Sequence, residues 1–315
     1  MKVVALAGGV GAGKFLRGMA RLVPGHDLTV ILNVADDIVV HGLLVSPDPD
    51  SVTYWLGDAF DRERGWGRRG ETFRAAEELR AFDARDAWFN LGDLDLATHL
   101  VRTSMLGEGA TMSAAIARIA TRFGVSAHLL PVTDDRVETR IEAVDAGSGE
   151  RLDLHFQEYW VKRRAADLVK GVRVDGVERS TPAPGVLEAI AGADVVVLPP
   201  SNPVVSLGPI LAVPGVRSAV ESRRPAVVGI SGIIGGAPLA GMADALMPAI
   251  GLEVSAAGAA AAYTGCLGAW IVDERDRELA DRIESTGVRV VVTDSVMVDD
   301  DAAERLARVA LGAVP

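Results

Sequence analysis

Five short β-branched runs, each closing in a turn rich in Gly, Ser, Asn or Asp, leave few folds open to this chain. Residues 3–7 run into Gly8-Gly9, and residues 28–32 into Asn33 to Asp37. Residues 193–198 stop at Pro199-Pro200, 226–230 at Ser231-Gly232, and 288–293 form the last run. Strands of four to six residues alternating with helical pattern, as at 14–22, pack as a parallel sheet covered on both faces. The expectation is an α/β fold, a Rossmann-like parallel sheet with helices on both faces. Residues 135–180 break the pattern: 151–156 alternate with period two, Lys162-Arg163-Arg164 follow, and 171–177 are strand-like again. This predicts one α/β domain over 1–315 with a small inserted β-containing segment at about 135–180.

Composition narrows the function. With 43 acidic against 32 basic side chains the formal charge is −11, which argues against nucleic-acid binding by counterion release, though local basic patches could still hold a small anionic ligand. Cys266 is the only cysteine, which excludes an internal disulfide and a cysteine metal cage. The apolar stretch at 256–272 is mostly Ala and Gly and reads as packed helix, short of the roughly 20 strongly apolar residues of a membrane span. Glycines and Lys14 interrupt the apolar N-terminus, so it reads as a core strand and not as a signal peptide. The expectation is a cytoplasmic protein with no nucleic-acid and no membrane partner.

Open α/β sheets bind ligands at the carboxyl ends of their strands, which directs attention to the turns. Gly8-Gly9-Val10-Gly11-Ala12-Gly13-Lys14-Phe15 matches the glycines and lysine of a P-loop, but Phe15 stands where a Mg²⁺-binding hydroxyl belongs. Lys14 likewise spoils the dinucleotide fingerprint, which makes a nicotinamide dehydrogenase a poor reading. What remains is a glycine turn whose free amides suit an anion, or a tight turn with no ligand. Asp36, Asp37, Asp48 and Asp50 put four carboxylates on two strand-end loops, an arrangement that suits a cation or ligand hydroxyls. Asp50 could equally cap a helix starting near Ser51. Asp95, His99 and Arg102 fall on one helix face, as a catalytic group or a solvated salt-bridged face would. The cluster His155 to Val161 offers Phe156, Tyr159 and Trp160 either to the core or to a flat ring. Ser201-Asn202-Pro203 and the turn after Ser231 are ordinary turns that could also offer amides to a nucleotide.

In order, the segments GGVGAGKFLRGM, NVADD, HGLLVSPDPDS, RGWGRRGETF, WFNLGDLDLATHLVRT, LLPVTDDRVET, HFQEYWV, PPSNPVVSLGPILAVPGVR and GIIGGAPLAGMAD closely resemble the 2-phospho-L-lactate transferase family. That family includes a bacterial phosphoenolpyruvate-using branch and serves coenzyme F(420) biosynthesis. The resemblance implies two substrates, the deazaflavin FO (7,8-didemethyl-8-hydroxy-5-deazariboflavin) and a guanosine-diphosphate-linked three-carbon acid. The ribityl hydroxyl of FO attacks the phosphorus carrying the acid and GMP leaves. It also implies Mg²⁺ as cofactor and a homodimer. Carried onto this sequence, Gly8, Gly9, Gly11, Gly13 and Lys14, with Ser201, Asn202 and Pro203, go to the nucleotide. Asn33 and Asp36 are assigned to substrate, and Asp50 and Asp37 to the metal. Trp66 and Arg102 go to FO or the transferred phosphate, and Asp50, Asp93 and His99 are the catalytic candidates. Leu94 departs from the pattern by replacing a cation of the GD-x-D motif. GGVGAGKF favours the enolpyruvyl donor of the actinobacterial branch over the lactyl and glyceryl ones. A related class, non-catalytic sugar-nucleotide-binding regulators of the gluconeogenesis-factor type, shares the glycine and SNP turns and is the competing expectation.

Overall fold

The computed structural model describes residues 1–315. In chain order its strands are β1 (Val3–Ala7), β2 (Leu28–Leu32), β3 (Ile38–Val40), β4 (Leu43–Val45), β5 (His128–Pro131), β6 (Glu138–Val144) and β7 (Arg151–His155). They continue with β8 (Leu168–Asp175), β9 (Val195–Leu198), β10 (Val227–Ile230), β11 (Ile233–Ile234), β12 (Ala237–Pro238), β13 (Ala269–Asp273) and β14 (Arg289–Thr293). Seven of them form one sheet in the order β14-β13-β10-β9-β1-β2-β5, with every neighbouring pair parallel. β1, β9 and β10 are buried throughout, as continuous apolar strands covered on both faces must be. The chain moves from β1 toward β2 and β5, then returns to β9 on the other side. The order therefore reverses beside β1, and the crevice of such a sheet opens at that switch.

β6, β7 and β8 make a separate antiparallel sheet in the order β7-β6-β8, and it falls within the 135–180 stretch. Four helices lie at or beside the open end of the large sheet: α1 (Gly9–Met19), α2 (Pro47–Leu56), α3 (Arg74–Ala81) and α4 (Asp93–Gly107). No helix is long and apolar enough to cross a membrane.

Three local expectations need correction. The first helix begins at Gly9, not Lys14, so the glycine run is itself the first turn of α1. Its glycines serve close approach: a Cβ on Gly11 would stand 2.5 Å from the Pro200 carbonyl oxygen, and one on Gly13 would strike the Trp55 ring. α2 begins at Pro47 with Ser46 before it, so Asp50 lies inside the first turn and is not a cap. The stretch at 256–272 is a short helix, Ala256–Ala261, followed by β13. The helix ends at Ala261, Gly265 at φ +87° lies in the turn that follows, and Trp270-Ile271-Val272 supply the bulky, β-branched run of a buried strand.

α1 packs against the C-terminal helix, Asp300–Gly312, through Gly18, where a Cβ would lie 2.5 Å from the Ala303 oxygen and the Glu304 nitrogen. Gly18→Ala is therefore expected to cost about 1–3 kcal/mol in urea denaturation by forcing the helices apart. Gly312→Ala, where nothing lies within 4 Å, is the matched control and should change stability little.

Candidate active site

The carboxyl ends of the parallel strands open into one cleft of about 1060 Å³. Its floor comes from the turns after β1, β9, β10 and β14, and its walls from α2, α4, the loop around Trp66 and the segment after β7. That volume reaches the upper end of single-ligand pockets, roughly 300–1,000 Å³.

At its centre Asp50 on α2 meets Arg102 on α4. The guanidinium is fully buried and binds Asp50 Oδ1 through Nη2. Arg102 Nη1 also lies 3.2 Å from His99 Nδ1 and 3.2 Å from the Leu44 oxygen. A guanidinium can only donate, so His99 Nδ1 must accept, which makes the ring neutral with its proton on Nε2. Burial pushes His99 down to about 4, with the Asp50 charge acting against the shift and the Arg102 charge with it, in agreement with a neutral ring. Asp50 Oδ2 stands 3.6 Å from the same Nδ1 and has no hydrogen-bond partner. Asp50 and His99 both line the cleft; Asp50 keeps a buried Oδ2 without a partner, and the His99 Nε2–H has no partner in the chain. Arg102 lies behind them and holds both. Removing Arg102 would strand a buried carboxylate, a change that costs about 3–5 kcal/mol.

The other carboxylates crowd the glycine turn. Asn33 does not reach the cleft: its amide nitrogen donates to Asp48 Oδ2 at 2.8 Å and to the Val205 oxygen at 3.2 Å. This sets Asp48 against the turn, where a Cβ on Gly8 would lie 2.6 Å from Asp48 Oδ2. Burial raises Asp48 to about 6, while Asn33 and the Gly9 amide act against the shift. Asp36 is also raised, first by burial and then by the Asp48 charge, and its Oδ1 has no partner. Asp37 accepts the Ser46 hydroxyl at 2.6 Å and stays behind the cleft. Lys14 lines the cleft without an ion-pair partner, and Ser201 Oγ donates to the Gly8 oxygen at 3.0 Å, joining the two turns that face each other.

Gly8, Gly9, Gly11, Lys14, Asp36, Asp50, Trp66, His99, Ser201, Asn202 and Pro203 thus share one cleft. Gly13, Asn33, Asp37 and Arg102 sit behind it and shape it. Asp93 is a correction. It accepts from Thr72 Oγ1 at 2.6 Å and from the amides of Arg74 and Ala75 at 3.2 and 3.0 Å, capping the start of α3 outside the cleft. Glu71 reciprocates by accepting from the amides of Leu94 and Asp95 at 2.5 and 3.1 Å, at the start of α4. This double clasp fixes the Trp66 loop to the helix carrying His99. The GD-x-D motif supplies Asp95 to the cleft instead of Asp93. Asp95 is buried, has an unpartnered Oδ1, and is raised to about 7 by burial before any neighbouring charge.

Fold and cleft together define a Rossmann-like α/β protein with an acidic crevice at the switch point of its sheet. The family model described as 2-phospho-L-lactate transferase CofD matches residues 3–311, and the chain belongs to that family of transferases. A phosphoenolpyruvate transferase of Streptomyces griseus is 49% identical over 99% of this chain and 98% of its own. One of Streptomyces avermitilis is 50% identical over 99% and 97%. The crystal structure of a UPF0052 family protein from Bacillus halodurans matches at a TM-score of 0.65, covering 98% of both chains at 19% identity, a likeness of fold. The family match carries the transferase reading and sets aside the non-catalytic regulator.

A raised carboxylate makes folding pH-dependent. Between the ordinary carboxylate range and about 7, folded Asp95 holds a proton that the unfolded chain has lost, so its contribution to stability falls as pH rises through that window. Asp95→Asn is expected to remove this slope. In urea denaturation at pH 5 and pH 8 with chelator present, the variant should gain stability relative to wild type at the higher pH.

Proposed function

We propose that this protein moves a phosphoenolpyruvyl group from enolpyruvyl-diphospho-5'-guanosine to the ribityl hydroxyl of FO, giving dehydro coenzyme F(420)-0 and GMP. The observation that supports it most is the identity of about 50% over nearly the whole chain to proteins named phosphoenolpyruvate transferase. A cleft at the upper end of the ligand-pocket range, placed at the sheet's switch point, agrees with it.

In this reading the donor's diphosphate lies along the Gly8–Gly11 turn, with Lys14 and the Ser201-Asn202-Pro203 turn beside it. The FO hydroxyl approaches the free Oδ2 of Asp50 and donates a hydrogen bond to it. Its oxygen forms the new bond to the phosphorus carrying the acid, the hydroxyl proton passes to Asp50, and the bond from that phosphorus to the GMP oxygen breaks. His99 Nε2–H donates to a phosphate oxygen as charge moves onto GMP. Arg102 keeps Asp50 and His99 in place throughout.

The acidic turn also bears on Mg²⁺. Asp48 already occupies part of the anion site, so a diphosphate can share it only if charge is neutralised. No three His, Cys, Asp or Glu side chains converge into a closed cage, whereas Mg²⁺ characteristically uses one or two carboxylates plus substrate phosphates. The unpartnered Asp36 Oδ1 and the adjoining Asp48 fit such a cation, with Asp50 nearby. Asp37, committed to Ser46, fits less well than the sequence suggested. A bound Mg²⁺ would neutralise charge on the bridging and leaving phosphate oxygens. The homodimer and the cytoplasmic setting belong to the same proposal, on family likeness.

The test is turnover with FO, Mg²⁺ and the enolpyruvyl, lactyl or glyceryl donor, followed by GMP release and product mass. The enolpyruvyl donor should be turned over fastest, and Asp50→Asn should lose about 10²-fold or more with the fold intact. No product from any donor with folded wild-type protein would overturn the transfer reaction, and near wild-type turnover by Asp50→Asn would remove that carboxylate from it.

A further inference from the structure

The segment after β7 carries chemistry that the reaction at Asp50 does not use. Residues Glu158–Lys162 form a single π-helical turn, a rare conformation that recurs at functional sites. It ends in two successive non-glycine residues with left-handed backbone, Arg164 at φ +55° and Ala165 at φ +52°. Such a pair persists only where the surroundings enforce it. Here Arg163 is pinned by ion pairs to Asp145 and Asp167, and the Ala165 amide donates to the Tyr159 oxygen at 2.9 Å. Of the residues that this segment brings to the cleft, Gln157, Trp160 and Arg164 carry polar or aromatic side chains beyond the apolar Phe156 and Val161.

None of the three is committed elsewhere. Gln157 is 6% exposed, yet its carboxamide makes no hydrogen bond in the chain. Arg164 has no ion pair and no hydrogen bond, in contrast to its neighbour Arg163. Trp160 is 38% exposed within the cleft wall. Of the side chains lining the cleft only Lys14 and Arg164 carry a permanent positive charge. Lys14 belongs to the glycine turn, while Arg164 stands on the wall built by the inserted segment.

We infer that Gln157, Trp160 and Arg164 form a station for a flat heteroaromatic ring bearing carbonyl acceptors on its edge. The Trp160 indole offers a stacking face, and the Arg164 fork and the Gln157 amide offer donors to the ring edge. Arginine paired to adjacent ring acceptors and an aromatic stacked on the ring are the general means of reading such rings. This inference rests on the function proposed above, in which two substrates carry rings of this chemistry: the guanine of the donor and the pyrimidinedione of FO. Arg164 is accordingly a specificity residue.

The test measures binding of GDP, inorganic pyrophosphate and FO, each with Mg²⁺, to wild type, Arg164→Gln and Trp160→Ala, with melting curves to show that each variant is folded. Both variants are expected to lose about tenfold or more in affinity for one ring-bearing ligand, GDP or FO, and to bind pyrophosphate as wild type does. The ligand affected identifies the ring. If it is GDP, wild type should also prefer GDP to ADP, whose base lacks the carbonyl acceptor, and Arg164→Gln should reduce that preference. Unchanged affinity for both GDP and FO would overturn the station. Equal loss of GDP and pyrophosphate would overturn it too, by making Arg164 a phosphate contact. Wild-type protein binding neither GDP nor FO would instead overturn the transferase reading and, with it, this one.

Discussion

The buried contact between Arg102 and Asp50 organises the cleft. It joins α2 to α4 across the sheet's open end, and its hydrogen-bond pattern dictates the states of its neighbours. Arg102 donates to His99 Nδ1, so His99 must turn its remaining N–H elsewhere, and Asp50 is left with one oxygen bound and one free. Three side chains, each ordinary alone, thereby become one donor and one acceptor held beside the same cleft. A buried pair of this kind adds little net stability compared with apolar packing, because desolvation offsets attraction. Its value here is orientation.

Around that centre the fold accumulates negative charge. Asp36, Asp48 and Asp95 are all held above the ordinary carboxylate range, with burial as the largest cause in each case. Clusters of this sort are unfavourable unless protons or cations share them. The glycine turn, which by sequence resembles a phosphate cradle, already contacts Asp48. A diphosphate and a carboxylate on one set of amides is a combination that a divalent cation reconciles, and Lys14 alone is a modest substitute. Phe15, where a P-loop has its hydroxyl, is a buried core residue of α1.

Much of the fold was legible in the sequence. β1 and β2 have the limits that their β-branched runs and closing turns indicate, and the strand-like runs at 151–156 and 171–177 fall on β7 and β8, although the central strand between them, β6, was not read. The start of α1 was missed because glycine reads as a turn, whereas Gly11 and Gly13 sit in a helix that must press against Pro200 and Trp55. β13 was hidden because the break between helix and strand is carried by Gly265 and Gly268, which in an Ala- and Gly-rich stretch read as the small residues of packed helix. Within the site, periodicity correctly placed Asp95, His99 and Arg102 on one face. It could not tell Asp93 from Asp95 as the cleft residue, since that depends on Glu71 and Thr72, about twenty residues away. Nor could it show that Gln157 and Arg164 are unpartnered, a property only of the assembled cleft.

The proposed dependence of the acidic cleft on a cation can be measured on the folded protein without turnover, by calorimetric titration of GDP with Mg²⁺ and with chelator at equal ionic strength. Affinity should be at least about tenfold higher with Mg²⁺, as neutralising the carboxylate-lined turn requires. Equal GDP affinity with and without Mg²⁺ would show that the turn receives the diphosphate unaided and would contradict the role given to Asp36 and Asp48.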